Sequence, residues 1–217
     1  MAKTATAPTK DTPRVRDTEL TRSTILRVAM EEFAEKGLSG ARIDEIAERT
    51  NSSKRMIYYY FGSKEGLYQA VLDQAYTGIR NTEATDELKS LTPREALAEH
   101  VGLTFDYHCA HPEFVRLVMN ENIHHGDYVS GIESIRTRNR VLLSFLAELL
   151  GRGVESGVFR KGLDALHLHM SISALCFHYV GNQYTFSQIF NCDMASPKSR
   201  AERRQIIIDT VLRWCLA

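Results

Sequence analysis

The stretch ARIDEIAERTNSSKRMIYYYFGSKEGLY, residues 41–68, constrains the fold more tightly than any other part of the chain. It predicts two short helices meeting at a sharp turn, then the start of a third. Ile43, Ile46 and Ala47 recur at helical spacing, and Asp44 and Glu45 stand where acids favour a helix start. The helix gives out at Thr50-Asn51, asparagine being the commonest non-glycine residue to accept the left-handed conformation of a tight turn. Ser53 is placed to cap the next helix, residues 54–61, and Gly62-Ser63 ends that helix and caps another. Two helices joined by such a turn form a helix-turn-helix, whose second helix can lie in the major groove of DNA.

That second helix has an unusual composition. Lys54 and Arg55 occupy its first turn, where cations oppose the helix dipole, so an anionic partner explains them better than stability does. Met56, Ile57, Tyr60 and Phe61 can form an inward stripe, while some of the hydroxyls of Tyr58, Tyr59 and Tyr60 must face out. Phenols beside cations suit phosphate oxygens and base edges. A solvated basic-aromatic surface helix would share this composition but not the turn and its caps.

The run IDEIAERTNSSKRMIYYYFGSKEGLY, preceded by ILRVAMEEFAEKG, resembles the DNA-binding domain of TetR/AcrR-type transcriptional regulators over about residues 20–75. The block YYFGSKEGLY is the most specific part. Thr50-Asn51-Ser52-Ser53 stands where the family usually has Ala-Gly-Val-Ser, so Ser52 gives up an apolar anchor. Tyr59 replaces a frequent His, and Arg42 a frequent Thr. The resemblance implies that Lys54, Tyr58, Tyr59 and Lys64 hold phosphates and that Arg42 approaches the DNA backbone. It places Arg55 and Met56 at positions that read bases, with Ser53 beside them. It also implies a homodimer and a small-molecule effector.

The 217 residues suffice for a small domain and a larger one. A formal net charge of zero argues against a coating, histone-like binder but is compatible with one local positive face. We expect residues 1–16 to be a disordered basic arm, 17–80 the DNA-binding domain, and 81–217 a helical effector-binding and dimerisation domain. The fold class is all-α. The polar N-terminus lacks a signal peptide's apolar segment, and residues 141–150 are too short to span a bilayer. A cytoplasmic protein without membrane contact follows as an expectation. Cys109, Cys176, Cys192 and Cys215 lie far apart, as buried reduced thiols rather than a disulfide framework or zinc site.

In the larger domain, Thr92-Pro93-Arg94-Glu95 predicts a capping box, and Leu97, Val101, Thr104, Phe105 and His108 share the face of the helix that follows. Pro112 opens the next helix. Ser130-Gly131-Ile132-Glu133 reads as a second capping box before a helix to about residue 150, with Gly151, Gly153 and Gly157 in the turn after it. The last two helices are expected over about residues 164–190 and from Pro197, capped by Ser196, to the C-terminus. Ile207, Ile208, Val211, Leu212 and Cys215, with Trp214 beside them, are the expected two-fold dimer face.

Phe105, His108, Cys109, Met119, His178, Asn182 and Phe186 are the candidate effector-binding residues, His178 and Asn182 sharing one helix face. The eight histidines show no HExxH arrangement, and no nucleophile elbow is visible, so no metal, cofactor or catalytic residue is assigned. The reading is a ligand-responsive, sequence-specific regulator, a homodimeric repressor on a pseudo-palindromic double-stranded DNA operator. The alternatives are an activator of the same fold and, further off, a helical enzyme or a protein-interaction bundle.

Overall fold

The computed structural model describes residues 13–83 and 86–217. The described residues are helical almost throughout, with one isolated antiparallel bridge between Phe159 and Leu216. They divide into two compact units, one ending at Val71 and the other beginning at Leu72.

In the first unit, α1 (Pro13–Gly40) leads to α2 (Ile43–Arg49), α3 (Lys54–Phe61) and the start of α4 (Lys64–Glu83). Most of the expected basic arm lies outside the described residues, and its last four residues, 13–16, belong to α1. Gly37, at φ 66°, breaks the helical geometry before a further short turn to Gly40. Ile25, Val28, Ala29 and Phe33 of α1 close over Ile46, Ile57 and Leu67, all at most 2% exposed. The Phe33 and Tyr68 rings meet edge-to-face, 5.0 Å apart.

The second unit holds the rest of α4, then α5 (Asp86–Ser90), α6 (Pro93–Ala110), α7 (Pro112–Ile123), α8 (Glu133–Glu155), α9 (Ala165–Gly181), α10 (Gln183–Phe190) and α11 (Pro197–Cys215). Helix α6 is its axis and packs on α7, α8, α9 and α11. The expected cap at its start forms: the Thr92 side chain accepts from the Glu95 backbone, and Glu95 accepts the Thr92 N–H at 3.2 Å.

Several expectations need correction. Ser130 does not cap α8, because it lies within a short 3₁₀ turn, Val129–Gly131, and the helix starts after Ile132. Helix α8 continues through Gly151 and Gly153 to Glu155. Gly153 serves close packing there, since a Cβ would fall 1.9 Å from the Phe159 ring. Gly157, at φ 71°, is the glycine that turns the chain. The helix expected over residues 164–190 is two helices broken at Asn182, whose side chain donates to the His178 carbonyl at 3.1 Å. Finally, Ile207, Ile208, Val211, Leu212 and Cys215 are buried within their own chain, on the side of α11 that packs on α6 and α9. They are core, not a dimer face. Cys192 is exposed, unlike buried Cys176 and Cys215.

Candidate nucleic-acid interface and effector cavity

Helix α3 is held by its two ends and one side chain. The Ser53 hydroxyl accepts the Met56 N–H at 3.2 Å, and the preceding turn passes through Asn51 at φ 49°. Ser52 donates its N–H to the Ala47 carbonyl at 2.9 Å, so the turn closes through backbone bonds despite the lost apolar anchor. Only Ile57 is fully buried; Tyr60 and Phe61 are half-buried. Met56, expected in the inward stripe, is 39% exposed and stands on the outer face with Ser53, Lys54, Arg55, Tyr58 and Tyr59. Among the described residues Arg55 forms no ion pair. Arg42 is exposed beside Asp44, and Lys64 is half-buried with its ammonium 3.4 Å from the Ser39 carbonyl.

One bracing group carries no local sequence signal. Glu32 is 2% exposed, bonds the Lys36 ammonium at 2.9 Å, and accepts the Arg42 backbone N–H at 3.2 Å. Arg42 is the N-cap of α2 and has no side-chain cap of its own, so a carboxylate from α1 satisfies this end of the helix.

In the second unit a cavity of about 250 Å³ opens between α4, α6, α7, α8 and α9. Tyr76, Phe114 and Phe177 supply its rings, and Arg80, Asn139, His108, His169 and Ser173 its polar groups. Arg80 donates Nε–H to Asn139 at 3.1 Å and pairs with the sealed Glu83 carboxylate, which also accepts the Thr104 hydroxyl at 2.9 Å. Burial pushes the imidazoles of His100 and His108 below their ordinary range. His169 falls to about 4, through burial first and the Arg80 charge next.

Two family models match the chain. Residues 25–71 match the bacterial regulatory proteins of the tetR family, and residues 93–211 match the tetracyclin repressor-like C-terminal domain. The chain belongs to the TetR family. It is similar to the HTH-type transcriptional repressor NicS of Pseudomonas putida, at 34% identity over 200 residues covering 92% of this chain and 94% of the relative. A regulator from Streptomyces coelicolor, SCO4942, aligns with a TM-score of 0.67 at 26% identity, over 90% of this chain and 98% of its own. A TetR-family structure from Marinobacter aquaeolei shares the fold with a TM-score of 0.71 at 19% identity, over 94% and 98% of the two chains. TetR-family regulators are not enzymes; they bind DNA operators, usually as dimers that respond to small molecules. No helix among the described residues is long and apolar enough to cross a membrane.

The structure of this TetR-family chain does not gather the seven candidate effector residues into one site. His108 lines the cavity. Phe105 is core, its ring 5.4 Å from that of Tyr179. Cys109, its thiol pushed up to about 11 by burial, lines a separate cleft with that same Phe105 and with Asp106, Arg200 and Arg204. Beside the break at Asn182, His178 is exposed with its ring 5.3 Å from that of Phe186, itself 36% exposed, and Met119 is 40% exposed. The cavity residues that sequence reasoning missed, Arg80, Asn139 and His169, sit on three different helices. The one local hint was Arg80 three residues from Glu83.

Proposed function

We propose that two copies of this chain read a pseudo-palindromic operator with α3 in successive major grooves, roughly 34–36 Å apart. The carrying observation is the outer face of α3, where Lys54, Arg55, Met56, Tyr58 and Tyr59 project from a helix anchored by Ile57 alone. Lys54, Tyr58, Tyr59 and Lys64 hold phosphates, Arg42 approaches from the start of α2, and Arg55 and Met56 meet bases. Ser53 fixes the helix start against the backbone. The copies associate through the last helices, by the faces that the core leaves over. Leu166 and Met170 on α9 and Ile206 and Trp214 on α11 are 49%, 56%, 53% and 38% exposed, and they support that choice.

The cavity is the effector site. Tyr76, Ile79 and Arg80 line it from α4, the helix that begins at Lys64. A useful response needs a coupling of about 1–3 kcal/mol between ligand and DNA. The relative named a repressor supports repression here; the ligand then releases the operator.

The test is stoichiometry and competition on a selected duplex. Two protomers per duplex, and a Met170→Glu variant that loses both dimer and affinity, support the reading. One protomer per site, or a variant that is monomeric yet binds as tightly, overturns the dimer.

A further inference from the structure

The chemistry of the cavity narrows its ligand, on the reading above that it is an effector site. Its walls divide by character. On one side are Tyr76 and Phe114, whose rings meet edge-to-face at 5.4 Å, together with Phe177. On the other are Arg80, Asn139, His108, His169 and Ser173.

Of the buried Arg80–Glu83 pair, only Arg80 lines the cavity. Glu83 is 0% exposed; its carboxylate takes the Thr104 hydroxyl, and its backbone carbonyl takes the His100 ring at 3.0 Å. The ion presented to a ligand is therefore the cation. His108 Nδ1 lies 2.7 Å from the Thr104 carbonyl, so that nitrogen donates and Nε2 is left as an acceptor. His169 Nδ1 is buried with no hydrogen-bond partner among the described residues. The polar wall thus combines a charged donor residue with two imidazoles, beside space bounded by flat rings.

We infer that the cavity binds a monocyclic aromatic acid, its carboxylate on Arg80 and its ring against Phe114 and Phe177. The size agrees: about 250 Å³ lies below the usual range for drug-sized ligands, roughly 300–1,000 Å³, and suits a single ring. Charge sets the class. A charge-assisted bond to guanidinium is about twice as strong as a neutral one, so an amide of the same shape binds more weakly.

The test is calorimetric titration of the full chain with a panel of monocyclic aromatic carboxylates, benzoate as parent, each beside its primary amide. The expected result is at least one carboxylate that binds at least tenfold tighter than its amide. Arg80→Gln abolishes that preference. Because Arg80 also braces α4, Ser173→Phe serves as a second variant: it fills the cavity and removes binding without lowering the melting temperature. No binding across the panel, equal binding of acid and amide, or full binding by a folded Ser173→Phe overturns the inference. DNA selection on the same preparation separates the two readings. A chain that selects a duplex but binds no acid sinks only this inference, and the reverse result sinks only the DNA reading.

Discussion

Asp44 holds the Lys54 ammonium against the outer side of the helix-turn-helix, and its second oxygen lies 3.9 Å from the Arg42 guanidinium. Both cations are assigned to DNA phosphates, so in the free protein one carboxylate occupies the groups that the phosphates would take. Exposed ion pairs are worth about 0–1 kcal/mol, which makes the exchange inexpensive. Asp44→Asn frees both cations and removes a charge that repels DNA. We expect roughly three- to tenfold tighter binding at low salt, an advantage that fades as salt rises. Fluorescence anisotropy over a salt series checks it; weaker binding by a folded variant would place Arg42 and Lys54 away from the phosphates.

Glu32 satisfies the start of α2 from a different helix, and Arg49 stands 3.8 Å from its other oxygen. Replacing it by alanine leaves the Arg42 N–H without its acceptor and Lys36 without its partner. Glu32→Ala should cost about 2–4 kcal/mol in chemical denaturation, and Glu32→Gln visibly less. A loss under 0.5 kcal/mol for the alanine variant would show that the turn does not depend on this brace.

Local signals were legible in the sequence because a few adjacent residues carry their whole cause. Asn51 at the turn, Ser53 before α3, Thr92 with Glu95, Pro112, and Ser196 before Pro197 all act where they were read. Ser130 had the right spacing for a cap and failed because the 3₁₀ turn that holds it moves the helix start to Ile132. Gly153 looked like a turn residue, but the ring it makes room for, that of Phe159, lies beyond the end of its helix. Periodicity marked the apolar face of α11 correctly but cannot say whether the chain's own core or a second copy covers it. The cavity was the least legible part. Arg80, Asn139 and His169 meet only through packing of α4, α8 and α9, and no spacing within one helix encodes that meeting.

Acid should destabilise the second unit through its imidazoles. Burial, with Arg80 next, lowers His169 from the ordinary 6.5 to about 4, and burial lowers His100 and His108 as well. Below 6.5 the unfolded chain takes up protons that the folded chain refuses, so stability falls as pH drops from 6.5 towards 4. His169 alone contributes on the order of 2–3 kcal/mol of that loss. His169→Phe should flatten the profile in urea melts at pH 7.0, 6.0 and 5.0. An unchanged slope would mean that this ring takes up its proton over the same pH range in the folded and unfolded chain.

Selection of bound sequences from random duplexes, with the wild-type chain beside Arg55→Ala and Lys64→Ala, tests the central claim most directly. The account predicts enriched two-fold-related half-sites about one helical turn apart. Arg55→Ala should relax the preference at one position in each half-site, while Lys64→Ala weakens all sites alike and lowers the salt slope by roughly one. No enriched sequence, or enrichment that neither α3 nor the start of α4 affects, would contradict it.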